Sequence, residues 1–312
     1  MPDVVSFGSV NVDLVANLTD ADVTSLSGRY DWFPKPDETV LVDRVPDDVD
    51  EFVDGTFLGG KGSNQAVAAA QAGGDVEFRG AVGVDAGEYE VLPALRERGV
   101  TVDHVDRADV ETGKAYVFVT EHGGSRIAIV DGANGRVDRA YARRSLDAIR
   151  DAECLLLQNE IPTETMAELL SALAGDPDGP TVILDPAPVE GAGELLRHGA
   201  IDVVTPNAYE YEALSDPLAG FDGTVVRTRG SEEVLVIPAD GDRFAVTPPS
   251  VTPVDTTGAG DVFNGYLGAR LASGEPLHVA VETAAAAASL ATTEQGAQRS
   301  VPSLEVARDV VR

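Results

Sequence analysis

The second half of the chain alternates short apolar runs with segments of helical periodicity. From about residue 140 the pattern is helix, strand, helix, strand, and helices are predicted around 164–173 and 193–198. This alternation predicts a parallel sheet whose strands are joined by helical crossovers. The predicted strands of this half are 155–157, 182–184, 203–204 and 225–226.

The first half has a different pattern. The apolar run 4–8 predicts a buried strand that ends in a glycine turn. Residues 13–55 alternate short apolar pieces with proline, aspartate and glycine, which favours extended strands and loops and not a helix. The other predicted elements are helices at 64–72, 88–98 and 283–291, and a hairpin with strands 115–120 and 126–130 joined by His122-Gly123-Gly124-Ser125.

The chain is strongly acidic. Asp and Glu total 53 of the 312 residues against 23 Lys and Arg, and the lysines are only Lys35, Lys61 and Lys114. A hydrophobic content of 43% is enough for a core, so this charge belongs to a folded surface. The combination is typical of adaptation to molar salt, where the Debye length falls to about 3 Å. It argues against a nucleic-acid partner, which needs a basic surface.

The cysteine content and the apolar runs indicate the compartment. Cys154, the single cysteine, lies in an apolar run and is predicted to be a core residue, not a nucleophile. The short N-terminal apolar run lacks a basic segment, and no apolar stretch reaches membrane-spanning length. We therefore expect a cytoplasmic protein without a membrane partner.

The segment 255–261, with the sequence DTTGAGD, precedes an apolar pattern typical of a helix. Residues as small as Gly258, Ala259 and Gly260 let backbone N–H groups converge at a helix N-terminus, where the macrodipole favours a phosphate. Asp261 lies among these donors and could accept a proton from an attacking hydroxyl. Such a donor cluster beside a base suits phosphoryl transfer. A glycine turn capped by Asp261 is the alternative.

A second glycine-rich segment, Gly59-Gly60-Lys61-Gly62-Ser63, opens the predicted helix at Asn64. Together with Gly55 it nearly matches the phosphate-binding loop GxxxxGK[ST], but Gly62 occupies the position that needs Ser or Thr for magnesium. This disfavours a P-loop NTPase. The glycines favour close approach of the backbone to a hydroxylated ligand that Asn64 would hydrogen-bond. A simple turn before a helix is the alternative.

Polar residues follow several predicted strands, and ligands of open α/β sheets bind beyond the carboxyl ends of strands. Asn11 and Asp13 would point the same way on an extended chain and suit the vicinal hydroxyls of a sugar, although both also favour turns. Asn207 and Glu210 share one face of a helical turn and could organise magnesium through water, or only cap a helix. Further candidates by position are Gln158-Asn159-Glu160, Asp185-Pro186 and Thr228-Arg229-Gly230.

In this order the motifs resemble those of the ribokinase family of carbohydrate kinases, the phosphofructokinase-B superfamily. The resemblance runs from about residue 4 to 302, and its most specific signatures are 59–66 and 255–265. It implies an α/β fold with a doubly wound, mainly parallel sheet flanked by helices and a small β-sheet lid. Residues 1–312 would form one such domain. The lid would come from about 13–55 and 112–131, and lids of this family commonly clasp each other in a homodimer.

The resemblance also implies a role for each motif. Asp261 would be the base that takes the proton of the sugar's primary hydroxyl, and Gly258, Ala259 and Gly260 would form the anion hole for the transferring phosphoryl group. The residues that would hold the sugar, besides Asp261, are Asn11, Asp13, Gly60, Lys61, Asn64 and Glu160.

ATP, Mg²⁺ and K⁺ are the further ligands that the resemblance implies. Thr228 and Gly230 would lie near the ATP phosphates, as would Gly258 and Gly260 of the anion hole. Asn207 and Glu210 would contribute to the nucleotide site and be linked to magnesium, through water. The residues that match the family's monovalent-cation site are Asp255, Thr257, Gly296 and Ser300.

The expected activity is ATP-dependent phosphorylation of D-ribose at its 5-hydroxyl. The Gly-Gly-Lys-Gly form and Glu160 preceded by Gln158-Asn159 favour ribose. The alternatives are a kinase of the same family for deoxyribose, fructose, 2-keto-3-deoxygluconate or a nucleoside, and a non-catalytic sugar or nucleotide sensor. Residues 19–32, which look like an insertion in the lid, and the short segment 214–225 depart from the family pattern.

Overall fold

The computed structural model describes residues 1–36, 38–120 and 125–311. In these ranges the strands form one large sheet, one five-stranded sheet and one strand pair. The strands are β1 (Val4–Phe7), β2 (Asn11–Leu18), β3 (Thr39–Leu41), β4 (Gly55–Gly59), β5 (Val76–Arg79), β6 (Ala81–Val82), β7 (Val100–Thr101), β8 (Asp106–Arg107), β9 (Gly113–Thr120), β10 (Ser125–Val130), β11 (Cys154–Gln158), β12 (Thr181–Asp185), β13 (Val203–Val204), β14 (Thr224–Arg227), β15 (Val234–Ile237) and β16 (Phe244–Val246).

Helices connect most of these strands, as the alternation in the sequence predicts. Three short 3₁₀ segments lie at Asp47–Phe52, Gly132–Arg136 and Leu196–His198. The α-helices are α1 (Asp20–Arg29), α2 (Lys61–Gln71), α3 (Val91–Glu97), α4 (Arg139–Arg150), α5 (Thr163–Leu173), α6 (Ala192–Leu195), α7 (Ala208–Ala213), α8 (Ser215–Ala219), α9 (Ala259–Ala272), α10 (Leu277–Ala291) and α11 (Leu304–Asp309).

The large sheet has the order β16-β15-β14-β13-β12-β11-β1-β5-β7. It is parallel from β7 to β14, and β15 runs antiparallel to both of its neighbours, β14 and β16. The chain leaves β1 on one side through β5 and returns on the other side through β11. The order therefore reverses between β1 and β11, and such switch points are where open α/β sheets bind ligands.

Both faces of the large sheet are covered by helices. Side chains alternate along a strand, so Leu155 and Leu157 of β11 face one core with α4 and α5, while Cys154 and Leu156 face a second core with α2, α9 and α10. Such two-sided burial explains why the strands of this sheet are continuous apolar runs. The predicted doubly wound, mainly parallel sheet is confirmed, and Cys154 is fully buried, as predicted.

The five-stranded sheet has the order β3-β10-β9-β2-β4. Residues 115–120 and 126–130, predicted as two strands, lie in β9 and β10, which pair antiparallel. The proposed turn residues His122, Gly123 and Gly124 lie outside the described residues. Asn11 at the start of β2 pairs with Gly59 and with Gly113, so this sheet meets the large sheet beside the switch point.

The prediction that residues 13–55 contain no helix is wrong. Residues Asp20–Arg29 form α1, because Thr19 and Asp22 make a capping box and Leu26 is fully buried. The pattern hides this helix because Leu26 is its single buried side chain. Elsewhere the predicted helices are present, although α2 begins at Lys61, three residues earlier than predicted.

None of the helices within the described ranges is both long enough and apolar enough to cross a membrane.

Candidate active site

The N-terminus of α9 brings the most informative segment of the sequence to the switch point. Gly258 precedes α9 with a φ of +76°, and a Cβ at this position would lie 2.5 Å from the Cβ of Ala297. Glycine is therefore required for both the turn and the contact. The first N–H groups of a helix have no partner within the helix, so this end of α9 suits an anion. Asp261 lies in this first turn and is 4% exposed.

Two side-chain amides hold the Asp261 carboxylate. Asn64 Nδ2 donates to Asp261 Oδ2 at 2.9 Å, and Gln65 Nε2 donates to Oδ1 at 3.3 Å. Both amides lie in the first turn of α2, so the N-termini of α2 and α9 face each other. These two hydrogen bonds span 197 and 196 residues, so the two signature segments form one site.

Lys61 is the cation of this site. Its Nζ lies 3.4 Å from Asp185 Oδ2 and 3.8 Å from Asp261 Oδ1. Burial lowers the pKa of Lys61, but the nearby carboxylates of Asp185, Asp261, Glu160 and Glu210 raise that pKa well above its usual value. The lysine is therefore charged, and it partly offsets the repulsion among the carboxylates.

The pKa of Asp261 is raised from its ordinary value to about 6. Burial is the main cause, while the charge of Lys61 acts in the opposite direction. Asp185 and Glu160 raise it further, and the hydrogen bond from Asn64 lowers it. A carboxylate with this pKa is ionised near neutral pH and is still basic enough to accept a proton, which is what a general base requires.

Glu160, which follows β11, connects the turn after β1 to the start of α2. Its Oε2 accepts hydrogen bonds from Ser9 Oγ at 2.5 Å and from the Lys61 backbone N–H at 3.0 Å. Gly60 has a φ of +88°, and a Cβ there would lie 2.6 Å from the backbone nitrogen of Asn11. The start of α2 therefore lies directly against the start of β2, and only glycine permits this approach.

Asn11 and Asp13 both lie on β2, as the spacing predicts. Asn134 fixes Asn11, since its Nδ2 donates to Asn11 Oδ1 at 2.7 Å. Burial, together with the carboxylates of Glu160 and Asp261, raises the pKa of Asp13 to about 7. The carboxylates of Asp13, Glu160 and Asp261 are therefore close enough to act electrostatically on one another. This arrangement offers several acceptors to a polyhydroxylated ligand.

Asn207 and Glu210 form a reciprocal capping box at the start of α7. Asn207 Oδ1 accepts from the Glu210 backbone N–H at 2.9 Å, and Glu210 Oε2 accepts from the Asn207 N–H at 2.8 Å. Burial raises the pKa of Glu210, and Asp185 raises it further. Asn207 and Glu210 therefore cap a helix, one of the two roles considered for them. The Glu210 carboxylate also raises the pKa of Lys61.

Thr228 and Gly230 lie on the turn after β14, farther along the sheet from the switch point. The Thr228 N–H donates to the carbonyl of Pro206 at 3.0 Å, so this turn adjoins the start of α7. Gly230 is exposed and has a φ of +62°. Within the described residues no hydrogen bond joins either residue to Asp261.

Asp255 joins the two loops beside α9. Its Oδ1 accepts from the Thr257 N–H at 2.9 Å, and its Oδ2 accepts from the Gly296 N–H at 3.0 Å. Burial alone would raise the pKa of Asp255, but these hydrogen bonds hold it below its usual value. Ser300 follows in the same loop, where its N–H donates to the Gly296 carbonyl at 3.2 Å. Asp255, Thr257, Gly296 and Ser300 thus belong to one small assembly of oxygen atoms and N–H groups.

Some residues of this site were not singled out from the sequence. Asn134 follows a glycine turn after β10, and Ser9 follows β1; neither has a local signal, because each contact spans more than 100 residues. Gln65 lies inside the signature 59–66, and Gln298 lies between Gly296 and Ser300, but the motifs assign no role to either residue. In the part of the chain that the structure describes, no group of three or more His, Cys, Asp or Glu is arranged to hold a metal ion.

Known proteins are similar to this chain over almost its whole length. The pfkB family carbohydrate kinase pattern matches residues 39–304. The ribokinase of Bacillus subtilis (strain 168) is 35% identical over 311 residues, covering 97% of this chain and 97% of that protein. The ribokinase of Schizosaccharomyces pombe is 32% identical and covers 97% of this chain and 96% of its own length.

A solved structure shows the same architecture. The structure of Arabidopsis thaliana ribokinase complexed with ribose and ATP superposes with a TM-score of 0.81 and is 27% identical. The match covers 100% of this chain and 99% of that one. The two chains therefore share one overall fold along their whole length.

Proposed function

The chain belongs to the pfkB family of carbohydrate kinases, and from this premise we propose that it phosphorylates D-ribose at the 5-hydroxyl with ATP as donor. The observation that carries this proposal is the convergence of Asp261, Asn64 and Lys61 at the N-termini of α2 and α9. A base, a cation and an anion-binding helix end then lie in one place. Full-length similarity to several ribokinases supports ribose as the sugar.

In the proposed reaction the Asp261 carboxylate takes the proton of the primary hydroxyl. The hydroxyl oxygen forms a bond to the γ-phosphorus, and the bond from that phosphorus to the bridging oxygen of ADP breaks. The N–H groups around Gly258, Ala259 and Gly260 would stabilise the negative charge of the transferring group. The burial that raises the pKa of Asp261 makes it a stronger base than an exposed aspartate.

The sugar would lie between β2 and α2. Asn11, Asp13, Asn64 and Glu160 would accept and donate hydrogen bonds to its hydroxyls, and Gly60 would allow the ring to approach the backbone. Lys61 would orient Asp261 and balance the carboxylates. Burial of Asp13 and its acidic neighbours disfavours an anionic substrate and favours a neutral sugar.

The nucleotide would lie over the turn after β14, with Thr228 and Gly230 near its phosphates. Magnesium would bind through water held by Asn207 and Glu210, whose amide and carboxylate lie side by side at the start of α7. When bound, magnesium neutralises phosphate charge. Potassium would bind at Asp255, Thr257, Gly296 and Ser300, where an ionised carboxylate and backbone groups supply hard oxygen ligands.

The five-stranded sheet would act as the lid, from about 13–55 and 112–131, and would exclude water during transfer. We also infer that two copies pair through this sheet. We also propose a cytoplasmic site of action, as the single cysteine and the apolar runs indicate, and adaptation to high salt, which the acidic composition supports.

The proposed function is tested by ADP release with ATP and magnesium in molar potassium chloride. The sugars to compare are ribose, deoxyribose, fructose, 2-keto-3-deoxygluconate and nucleosides. We expect ribose to give the highest kcat/KM and the phosphate to be found on the 5-hydroxyl. A clear preference for another sugar would support the proposed sugar kinase activity and contradict ribose as the substrate. Ribose binding without turnover of any sugar would favour a non-catalytic sensor.

A further inference from the structure

Two chains of side-chain amides end on the Asp261 carboxylate, one on each oxygen. Gln298 Nε2 donates to Asn64 Oδ1 at 3.0 Å, and Asn64 Nδ2 donates to Asp261 Oδ2 at 2.9 Å. On the other side Gln158 Nε2 donates to Gln65 Oε1 at 2.7 Å, and Gln65 Nε2 donates to Asp185 Oδ2 at 3.0 Å and to Asp261 Oδ1 at 3.3 Å. The four amide side chains are all buried.

The direction of each chain follows from the carboxylate. An ionised carboxylate only accepts hydrogen bonds, so the NH₂ group of Asn64 must face Asp261. Its oxygen then faces Gln298, which must present its own NH₂ group. If Gln298 offered an oxygen instead, Asn64 would lose its partner or turn its oxygen toward Asp261.

Both chains end in an amide oxygen that lacks a partner. Within residues 1–36, 38–120 and 125–311, neither Gln298 Oε1 nor Gln158 Oε1 accepts a hydrogen bond. A buried oxygen without a hydrogen bond costs free energy. The orientation of these two amides is therefore not the one that would best satisfy their own oxygens. It is set by the acceptors of their NH₂ groups, the side-chain oxygens of Asn64 and Gln65.

We propose that Gln298 is a positioning residue, which fixes the amide orientation of Asn64 so that a donor, and not an acceptor, faces the base Asp261. The inference rests on the proposed function of Asp261. Gln158 has the same relation to Gln65 on the other oxygen, and a Cβ on Gly8 would collide with Gln158 Oε1. The two chains together hold the carboxylate ionised and in one orientation.

Gln298 also connects the base to the Asp255 loop. It lies between Gly296, whose N–H donates to Asp255, and Ser300, whose N–H donates to the Gly296 carbonyl. Its Nε2 donates a second hydrogen bond to Ser63 Oγ at 3.0 Å, so the loop is fastened to the first turn of α2. A displacement of this loop would therefore alter the hydrogen bond that Asn64 donates to Asp261.

The charged groups around Asp261 set the background for any pH measurement. They are Lys61 on α2, Asp185 at the end of β12, Glu160 after β11 and Asp13 on β2. A substitution at Gln298 leaves all four in place. A change in the acid limb of the pH profile of an uncharged variant then reports the donor from Asn64, whereas a carboxylate introduced at this position also raises the pKa of Asp261 through its charge.

The test replaces the glutamine by an isosteric side chain of opposite hydrogen-bonding character. In Gln298→Glu the introduced carboxylate accepts from Asn64, whose oxygen then turns toward Asp261. We expect the acid limb of kcat/KM to move up by about one pH unit, since a hydrogen bond to a charged group is lost. Gln298→Met keeps the size without reversing the amide, and we expect a smaller shift.

Gln71→Glu is the matched control, because it adds the same charge at the far end of α2. We expect its pH profile to equal that of the unsubstituted protein. An unchanged acid limb in a folded Gln298→Glu variant would overturn the proposal, because a space-filling role predicts that result. Equal shifts in Gln298→Glu and Gln71→Glu would also overturn it.

A second readout does not depend on turnover. Titration of the Asp261 carboxyl carbon by NMR, assigned by its loss in Asp261→Asn, should show a pKa higher by about one unit in Gln298→Glu. If the protein releases no ADP with any sugar, the proposed function fails. The positioning role is then still upheld or overturned by this titration alone.

Discussion

Asp13 is a residue whose charge works against the folded state. It lies beside Glu160 and Asp261, and burial and these neighbours raise its pKa to about 7. Above that pH the folded protein holds the charged form at a cost in stability. The cost begins to fall as the pH drops through about 7 and the folded state binds a proton, and it is lost only below the unfolded pKa of about 4. Such costs are common where a site serves binding.

Asp13→Asn should therefore stabilise the protein while weakening sugar binding. At about pH 8 we expect Tm to rise by a few degrees, and the gain should shrink at about pH 5.5, where Asp13 is already protonated. Thermal unfolding at both pH values measures this. Asp43→Asn, at an exposed aspartate, removes the same charge and is the control. Equal gains from both variants would mean that net charge alone is responsible.

At the residue scale the sequence predicts the site's signature residues but not their partners. Asp261, Lys61 and Asn64 lie together, as the two glycine-rich segments indicate. Asn134 and Gln298 could not be assigned a contact, because hydrogen bonds over 124 and 234 residues leave no local pattern. Long-range pairing of this kind becomes visible only in the folded chain.

Close packing of α2 against α9 holds the two halves of the site together. A Cβ on Gly265 of α9 would lie 2.5 Å from Ala68 Cβ and 2.8 Å from the Ala69 nitrogen of α2. A Cβ on Gly62 of α2 would similarly lie 2.7 Å from the Ser9 nitrogen. The distance between Asn64 and Asp261 thus depends on glycines several residues away.

Gly265→Ala should therefore push α2 from α9 and lower both stability and turnover. We expect a loss of about 1–3 kcal/mol in the free energy of unfolding, as for other overpacked cores. Gly28→Ala is the control, since Gly28 lies in α1 and no described atom would lie within 4 Å of its Cβ. In the Gly28→Ala variant the free energy of unfolding should rise by about 0.5–1 kcal/mol. Urea unfolding compares the two, and equal effects would contradict the packing argument.

At the element scale the parallel strands are the most predictable feature, because burial on both faces leaves continuous apolar runs. The helix α1 is the element that the sequence misses. Its evidence lies in the capping box of Thr19 and Asp22 and in one buried leucine, Leu26, which give little periodicity. Residues 19–32, which appear as an insertion, thus contain a helix packed beside the five-stranded sheet.

The whole molecule carries a formal net charge of −30. Repulsion among these charges opposes the compact state, and salt screens it. We expect Tm to rise by several degrees from low to molar ionic strength, equally in potassium chloride and choline chloride. Turnover, in contrast, should be higher in potassium chloride if the Asp255 loop binds potassium. A Tm that is insensitive to salt would contradict the screening argument.

The catalytic role of Asp261 is the central claim, and Asp261→Asn tests it most directly. The change keeps the shape of the side chain and removes its ability to accept a proton. We expect ADP release with ribose to fall by about 10³-fold, within the usual range for loss of a general base, while calorimetry shows ribose binding changed only a few-fold. Turnover close to that of the unsubstituted protein would contradict the assignment of Asp261 as the base.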